Sequence, residues 1–456
     1  MKKTISGVLL ALTAVFALVA CGKKKDDKTT TKKGGDTPSK KSGAISFYCW
    51  NDEFKSRLND CYDQVEKASG NKTTLKDGIV ITWIQAPNQS AVYQANLDEG
   101  LKNDGVDMFC FEADYATKYV KSNYVADMAE LGINQSNQYQ YTKDIVTNAA
   151  GKIVGSSWQA TPGIIAYKES VADAIWSGVT LEQMTAKLST DKATFDAAAA
   201  AAKAAGKSMM IGPDDWFRTY SNNMTNKMWD GTDITVDKAL FDWVNDTKAY
   251  KDAGYLYSVA DTYGLWGSDW GPEQGKENNL CVFSCPWFTD FCLNGNATPD
   301  ANGSLGYKAT AGYKSWFWGG TWLTATKAAV ANEAIKDDVK DIIAKMTTDT
   351  AVLKKIAIEK GDFTNDKPAM DALAKSDEGN SKLFGGQNVI AIYAASVEKA
   401  DLSKASDYDQ QICEQMQNAY RAYFQGDATL DEAWATFVEN LADKTSIAAA
   451  NIKKAA

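Results

Sequence analysis

The strongest constraint on the fold is a regular exchange of short β-prone runs and longer amphipathic ones over residues 44–122. Ala44–Cys49 is β-prone, and Asp52 to Ser69 reads as helix, with Phe54, Leu58, Cys61 and Val65 at three- and four-residue steps. Ile79–Ile84 is the next strand, and Ser90–Lys102 a helix with Val92, Leu97 and Leu101 on its inner side. Val106–Phe111 is a third strand, followed by helix at Tyr115–Ser122. Strands separated by helices of this length form βαβ units around a parallel sheet. In such sheets ligands bind outside the carboxyl ends of the strands. At 456 residues the chain exceeds one ordinary core, so two or three domains are expected.

The strand ends set aromatics beside amides and carboxylates. The first delivers Trp50-Asn51, the second Gln85-Ala86-Pro87-Asn88-Gln89 and the third Glu112-Ala113-Asp114-Tyr115. The flat face of a sugar ring packs on an aromatic while its hydroxyls bond polar groups around the rim. The pattern therefore suits a neutral polyhydroxylated ligand. Asn51 and Asp114 also stand where helices need N-caps, a role that competes with ligand contact. Further on, Ile153–Ser157 leads into Trp158-Gln159-Ala160-Thr161-Pro162-Gly163 and a strand at Ile164–Tyr167. Alanine-dense Thr194 to Ala205 is helix, and Met209–Ile211 is a short strand running towards Trp216. The chain holds 14 Trp, too many to be core alone. Trp243, inside the helical run Lys238–Tyr250, is core, whereas Trp266 and Trp270, flanked by Gly and Asp, read as loop tips. From Glu333 onward the pattern is mostly amphipathic helix, as in Ile335–Thr347 and Tyr408–Phe424.

Several chemistries are excluded. Histidine is absent, which removes Ser-His-Asp and Cys-His catalysis and every zinc site that needs an imidazole. A GxSxG elbow, an HExxH site and a P-loop are also missing. Asp300-Ala301-Asn302-Gly303-Ser304 is too short a match to a calcium loop, so neither metal nor cofactor is expected. The formal charge of −9 is uneven: residues 1–21 carry +2 and residues 22–42 carry +5, leaving −16 on the rest. An acidic body repels phosphate backbones, so no nucleic-acid partner is expected. Glu112 and Asp114 could serve a glycoside hydrolase, yet two carboxylates at one strand end do not flank a scissile bond.

The amino terminus reads as an address and a tether. Lys2-Lys3 precede an apolar run, Val8 to Ala20, of signal-peptide length. The run ends Leu18-Val19-Ala20-Cys21-Gly22, which resembles a bacterial lipobox with Cys21 as the lipidated residue; an ordinary signal peptide with a chance Cys is the alternative. Residues 22–42 are Lys/Thr/Gly-rich without apolar periodicity and are expected to be a disordered spacer, spanning about 25 Å at roughly 5–6 Å times the square root of its length. Nothing later reaches 18 consecutive apolar residues. Beyond Cys21 lie Cys49, Cys61, Cys110, Cys281, Cys285, Cys292 and Cys413. Their odd number and their places in strands favour mostly buried thiols over a disulfide framework, with pairing left open.

Over most of the body the chain resembles the extracellular solute-binding proteins of carbohydrate ABC importers, the class that includes maltose-binding protein. The resemblance rests on Phe47–Phe54, on Gly105–Leu131 (GVDMFCFEADYATKYVKSNYVADMAEL), on Ser157–Tyr167 (SWQATPGIIAY) and on Cys285-Pro286-Trp287-Phe288, where Cys replaces the usual Gly of a Gly-Pro-Trp segment. Trp318-Gly319-Gly320-Thr321-Trp322 and Phe384-Gly385-Gly386-Gln387-Asn388 add two later matches. The resemblance implies an α/β fold of two lobes, each a mainly parallel sheet flanked by helices, with a ligand cleft between them. Residues 43–158 plus 312–365 would form the first lobe and 159–311 plus 366–456 the second, with crossings near 158–162, 308–312 and 364–368. Trp50, Asn51, Asn88, Glu112, Asp114 and Tyr115 would line the first lobe, Trp158 the hinge, and Trp287 a stacking platform on the second. Trp318, Trp322, Gln387, Asn388, Trp216, Trp266 and Trp270 are further candidates, although Trp318 and Trp322 could instead pack between the lobes. The implied protein is a non-enzymatic, monomeric receptor, lipid-anchored on the outer face of the cell. It takes a soluble sugar or oligosaccharide and hands it to a permease. A glycan-binding adhesin or sensor is the alternative.

Overall fold

A computed structural model describes residues 43–86, 91–259, 278–295 and 298–455. The signal peptide, the tether and Cys21, together with Asn88, Trp266 and Trp270, lie outside the described residues. Strand β1 (Ala44–Cys49) buries Ile45, Phe47 and Cys49 on one face. Helix α1 (Glu53–Cys61) follows and presents Phe54, Leu58 and Cys61 to that core. The chain then makes an antiparallel pair, β2 (Val65–Ser69) and β3 (Lys72–Leu75), before β4 (Val80–Gln85). The expected helix to Ser69 therefore ends at Cys61. Residues 66–69 are exposed and have no core to face as a helix, while Gly70 (φ +58°) makes the turn that lets β2 fold back on β3.

Helix α2 (Ala91–Lys102) leads to β5 (Met108–Glu112) and the short α3 (Ala116–Val120). After β6 (Ser156–Ser157) come β7 (Ile164–Lys168), β8 (Ile234–Val236), β9 (Cys281–Ser284), β10 (Tyr307–Thr310) and β11 (Thr321–Ala325). The chain closes with the small pair β12 (Asn380–Ser381) and β13 (Gln387–Asn388), and with β14 (Ile452–Lys454), which lies parallel to β8. One sheet has seven strands in the order β2-β3-β4-β1-β5-β11-β6, and another has three in the order β10-β7-β9.

The parallel pairing expected from strand–helix alternation forms the heart of the large sheet. There β1 runs beside β4 from Ala44↔Val80 to Cys49↔Gln85, and beside β5 at Phe47↔Met108. The hairpin on one side and the late-arriving β11 on the other are antiparallel. In the second sheet β7 is antiparallel to both neighbours, and the run expected as a strand at Met209–Ile211 appears as two parallel bridges, Ser208↔Asn279 and Met210↔Leu256. Each sheet has its own core: Ile45, Phe47, Ile81 and Leu323 under the first, Phe195, Trp243, Phe283 and Phe437 under the second. A third cluster, from Phe109 and Phe111 to Phe288, Tyr307 and Phe363, joins them.

Three stretches pass between the sheets. Gln159 bridges Thr364, with Ala160 N–H donating to Phe363 O (3.0 Å) and Asn365 N–H to Trp158 O (3.1 Å). Pro162 bridges Phe317, and Gly163 N–H donates to Trp316 O at 2.7 Å. The second passage runs through residues 311–320, because Tyr307–Thr310 is held in the three-stranded sheet as β10. Gly163 is obligatory there, since a Cβ would stand 1.9 Å from the Trp316 ring. All seven cysteines of the described body are buried, and no disulfide joins any of them to another described residue, as the strand placement suggested. Burial pushes the Cys49 thiol up to about 12. Among the described residues no helix is long and apolar enough to cross a membrane.

Candidate functional site

The carboxyl end of β5 meets the second body. Glu112 closes the strand, and its carboxylate accepts a hydrogen bond from the Asp114 N–H (3.2 Å), so Glu112, not Asp114, caps the turn that follows. Asp114 is thereby free to face outward. It receives a two-pronged contact from Arg218, Nη1 to Oδ1 at 2.9 Å and Nη2 to Oδ2 at 2.6 Å. Arg218 opens the short helix Arg218–Ser221, beside the second core. Its guanidinium lies over the Trp318 ring, 5.6 Å from the centroid.

Trp318 in turn stacks on Phe288 (5.7 Å, 25°) and meets Trp287 edge-on (5.0 Å), and the Trp287 indole N–H donates to Trp318 O at 2.8 Å. The chain turns at Gly319 and Gly320 with φ of +66° and +112°. A Cβ on Gly319 would stand 3.1 Å from Glu112 Oε1 and 3.4 Å from Trp287 Nε1. Glycine here lets the acid of one sheet and the indole of the other approach the same backbone. Burial, then the nearby Asp114 charge, drives the Glu112 carboxyl well above the ordinary carboxylate range, with Arg218 opposing. The Arg218 and Asp114 charges offset each other. The result is a junction of indoles, a paired charge and hydrogen-bonding groups. A cavity of about 60 Å³ opens beside it, lined by Asp114, Arg218, Ser406 and Asp409 among others.

No family profile and no curated protein matches the sequence. The architecture does have counterparts. A crystal structure of an extracellular solute-binding protein family 1 superposes with TM-score 0.67 at 15% identity, covering 88% of this chain and 99% of that one. The chain has the solute-binding protein fold. The ABC-transporter-associated binding protein of B. animalis subsp. lactis Bl-04, solved with β-1,6-galactobiose, gives 0.63 at 16% identity over 90% of this chain and 99% of that one. The sugar-binding protein MalE of Xanthomonas citri gives 0.62 at 12% identity over 89% and 98%. These neighbours are two-lobed, and the two sheets of this chain correspond to that plan.

Within the solute-binding fold, Glu112, Asp114, Trp287 and Trp318 come together. Trp50 is half-buried, edge-on to Tyr93 at 5.4 Å, and Asn51 accepts from the Glu53 N–H (3.0 Å), so it does the capping work open to it. Tyr115 is buried against Tyr119. The remaining candidates are committed to packing. Trp158 is fully buried between Phe54 and the Arg57 guanidinium. Trp216 sits in the second core, its N–H on Thr247 Oγ1 (3.0 Å), and Trp322 is buried with its N–H on Thr142 O (2.7 Å). Gln387 clamps the Ala309 backbone at both its N–H and its carbonyl, and Asn388 caps helix Val389–Val397 while donating to Leu373 O and Ser376 O.

Sequence reasoning missed Arg218 and Phe288. A lone Arg two positions after Trp216 carries no spacing signal, whereas Phe288 adjoins Trp287 and could have been included. A second buried polar group also went unseen. Arg57 of α1 holds Asp362 in a fork (2.9 and 3.0 Å) and reaches Asp290 at 3.5 Å, next to the buried Glu53. Burial pushes the Glu53 carboxyl up to about 8. Glu53 Oε1 and Trp158 Nε1 have no hydrogen-bond partner.

Proposed function

We propose that the protein is a membrane-anchored, extracellular substrate-binding protein that captures a neutral sugar or oligosaccharide between two lobes and delivers it to an ABC transporter permease. The observation that carries this reading is the junction of Glu112, Trp287 and Trp318 around the Asp114–Arg218 pair, where both sheets contribute. Such a junction sets aromatic side chains beside hydrogen-bonding groups and a matched ion pair, a combination that suits polyhydroxylated neutral ligands. Fold neighbours bound to β-1,6-galactobiose, to lacto-N-biose and to cycloalternan support a carbohydrate. The lobes are taken as 43–158 with 312–365 and 159–311 with 366–456, joined by the three passages and anchored through lipidated Cys21. A ligand touching both lobes favours the closed form by its differential affinity, and the closed form docks on the permease. Hydrolysis is disfavoured because Asp114 is held by Arg218 and Glu112 by its own turn.

The test is thermal melting with tryptophan emission against a panel of soluble oligosaccharides. A ligand at a hundredfold its dissociation constant adds about 2.7 kcal/mol. A raised melting point with the sugar recovered intact supports the receptor. Turnover abolished by Glu112→Gln would instead make it a hydrolase, and binding confined to insoluble glycan an adhesin.

A further inference from the structure

Strands β1 and β5, neighbours at the heart of the large sheet, each carry a cysteine at the same level. They run parallel with Phe47 beside Met108 and Tyr48 beside Phe109, and the next step of that register sets Cys49 beside Cys110. Both cysteines are buried, in the cluster that also holds Phe47 and Met108. Residues two apart in a strand share a face, so the two thiols stand on the same side of the sheet. The level is pinned from the other side by Tyr93 of α2, whose hydroxyl reaches Cys110 O at 2.5 Å and Tyr48 O at 3.2 Å. The outer neighbours in register are Gln85 on β4 for Cys49 and Leu323 on β11 for Cys110. Across the ladder, each thiol therefore faces no cysteine but the other. Adjacent strands lie about 4.7–4.9 Å apart, inside the range of about 4.4–6.8 Å over which Cα atoms are joined by a disulfide.

We propose that Cys49 and Cys110 are a disulfide-forming pair, oxidised by small-molecule disulfides to a cross-link between the two central strands. Cys49 is the entry thiol. It ends β1 at the carboxyl edge of the sheet, where Asn51, Asp52 and Gln85 are exposed around it, whereas Cys110 is the middle residue of β5, enclosed between β1 and β11. The Cys49 thiolate attacks one sulfur of the reagent and expels the first thiolate. The Cys110 thiolate then attacks the Cys49 sulfur and expels the second. The chain gives up two electrons and two protons, and the reagent leaves as two thiols. Burial raises both thiols above their ordinary range, so thiolate is scarce and the oxidation is slow at neutral pH. The bond fixes the spacing of the two strand ends that deliver Trp50-Asn51 and Glu112 to Asp114. It holds whatever ligand those ends receive.

In the test the full chain, purified reduced, is held at about pH 8.5 without denaturant in excess 2-hydroxyethyl disulfide, then alkylated and digested with trypsin. Cleavage after Lys41, Lys55, Lys102 and Lys118 leaves each cysteine alone on its peptide, 42–55 and 103–118. Most molecules should yield these two peptides joined, the link should vanish on reduction, and the oxidised chain should melt above the reduced one. Cys110→Ala should hold the reagent on Cys49 as a mixed disulfide, while Cys49→Ala should leave Cys110 unmodified over the same period. The parent's peptide map decides the cross-link by itself, however stable the variants are. Absence of the joined peptides, their linkage mainly to other cysteines, or a link that forms only in denaturant overturns the pair. Reagent on Cys110 in Cys49→Ala, gained as fast as the parent cross-links, overturns the entry role of Cys49.

Discussion

Arg218 and Asp114, 104 positions apart in the chain, meet prong to prong across the junction of the two sheets. Both side chains are only partly shielded, at 16% and 24% exposure, so the pair is neither a surface ornament nor a dry core bridge. A planar guanidinium on a carboxylate is the strong form of such contacts.

Removing either partner leaves the other half-buried and unmatched. Arg218→Ala should cost about 1–3 kcal/mol in urea unfolding, and a double-mutant cycle with Asp114→Asn should return a coupling above about 0.5 kcal/mol. Additive losses would mean that the two bodies do not depend on this contact.

The aromatics divide into two groups by what their rings touch. Trp287→Ala should cost about 2–4 kcal/mol of sugar binding, by analogy with buried interface anchors. Trp322→Ala should instead cost about 3–5 kcal/mol of stability, because it empties a packed site and strands the Thr142 carbonyl. A Trp287 variant that binds within twofold of the parent would remove Trp287 from the site.

Glu53 makes stability fall as pH rises. Its folded-state value is lifted to about 8 from an ordinary 4.5, so the folded chain holds a proton that the unfolded chain releases. The contribution is complete below about pH 4.5 and is lost on the way to pH 8. Glu53→Gln, which keeps the neutral shape, should melt higher than the parent at pH 8 by an amount worth about 1–3 kcal/mol, with the difference shrinking towards pH 5. Parallel melting curves across that range would count against a buried neutral Glu53.

Gly163→Ala drives a methyl into the Trp316 ring at the crossing of the sheets. Overpacking of this kind costs about 1–3 kcal/mol or more, and denaturant midpoints will show it. An unchanged midpoint would mean that the crossing strands can slide.

Legibility followed how local the signal was. β1 and β5 could be read because their apolar spacing and their burial agree; α2 could be placed, but its inner face is Tyr93, Leu97 and Leu101, while Val92, expected inside, is 45% exposed because Tyr93 takes the core position next to it. The β2–β3 hairpin could not, because Val65 continues the three- and four-step pattern of α1 and only the missing core beyond Cys61 ends that helix. Trp287 and Trp318 were readable as aromatics beside Pro and Gly. Trp216 and Trp322 look the same in sequence, and only their hydrogen bonds to Thr247 and Thr142 show them to be structural. The Gln387-Asn388 pair shows how a polar loop pattern can arise from capping and backbone clamping alone.

The large sheet also dictates an order of events during synthesis. β11 lies between β5 and β6, and Ser157 Oγ donates to Thr321 O, 164 positions further along the chain. Until residue 325 has left the ribosome, β5 has an open edge and β6 has no neighbour, so the amino-terminal body cannot finish folding on its own. The second sheet must be made, and largely out of the way, before the first can close. Contacts of such long sequence separation fold slowly, so closing the large sheet is the late step.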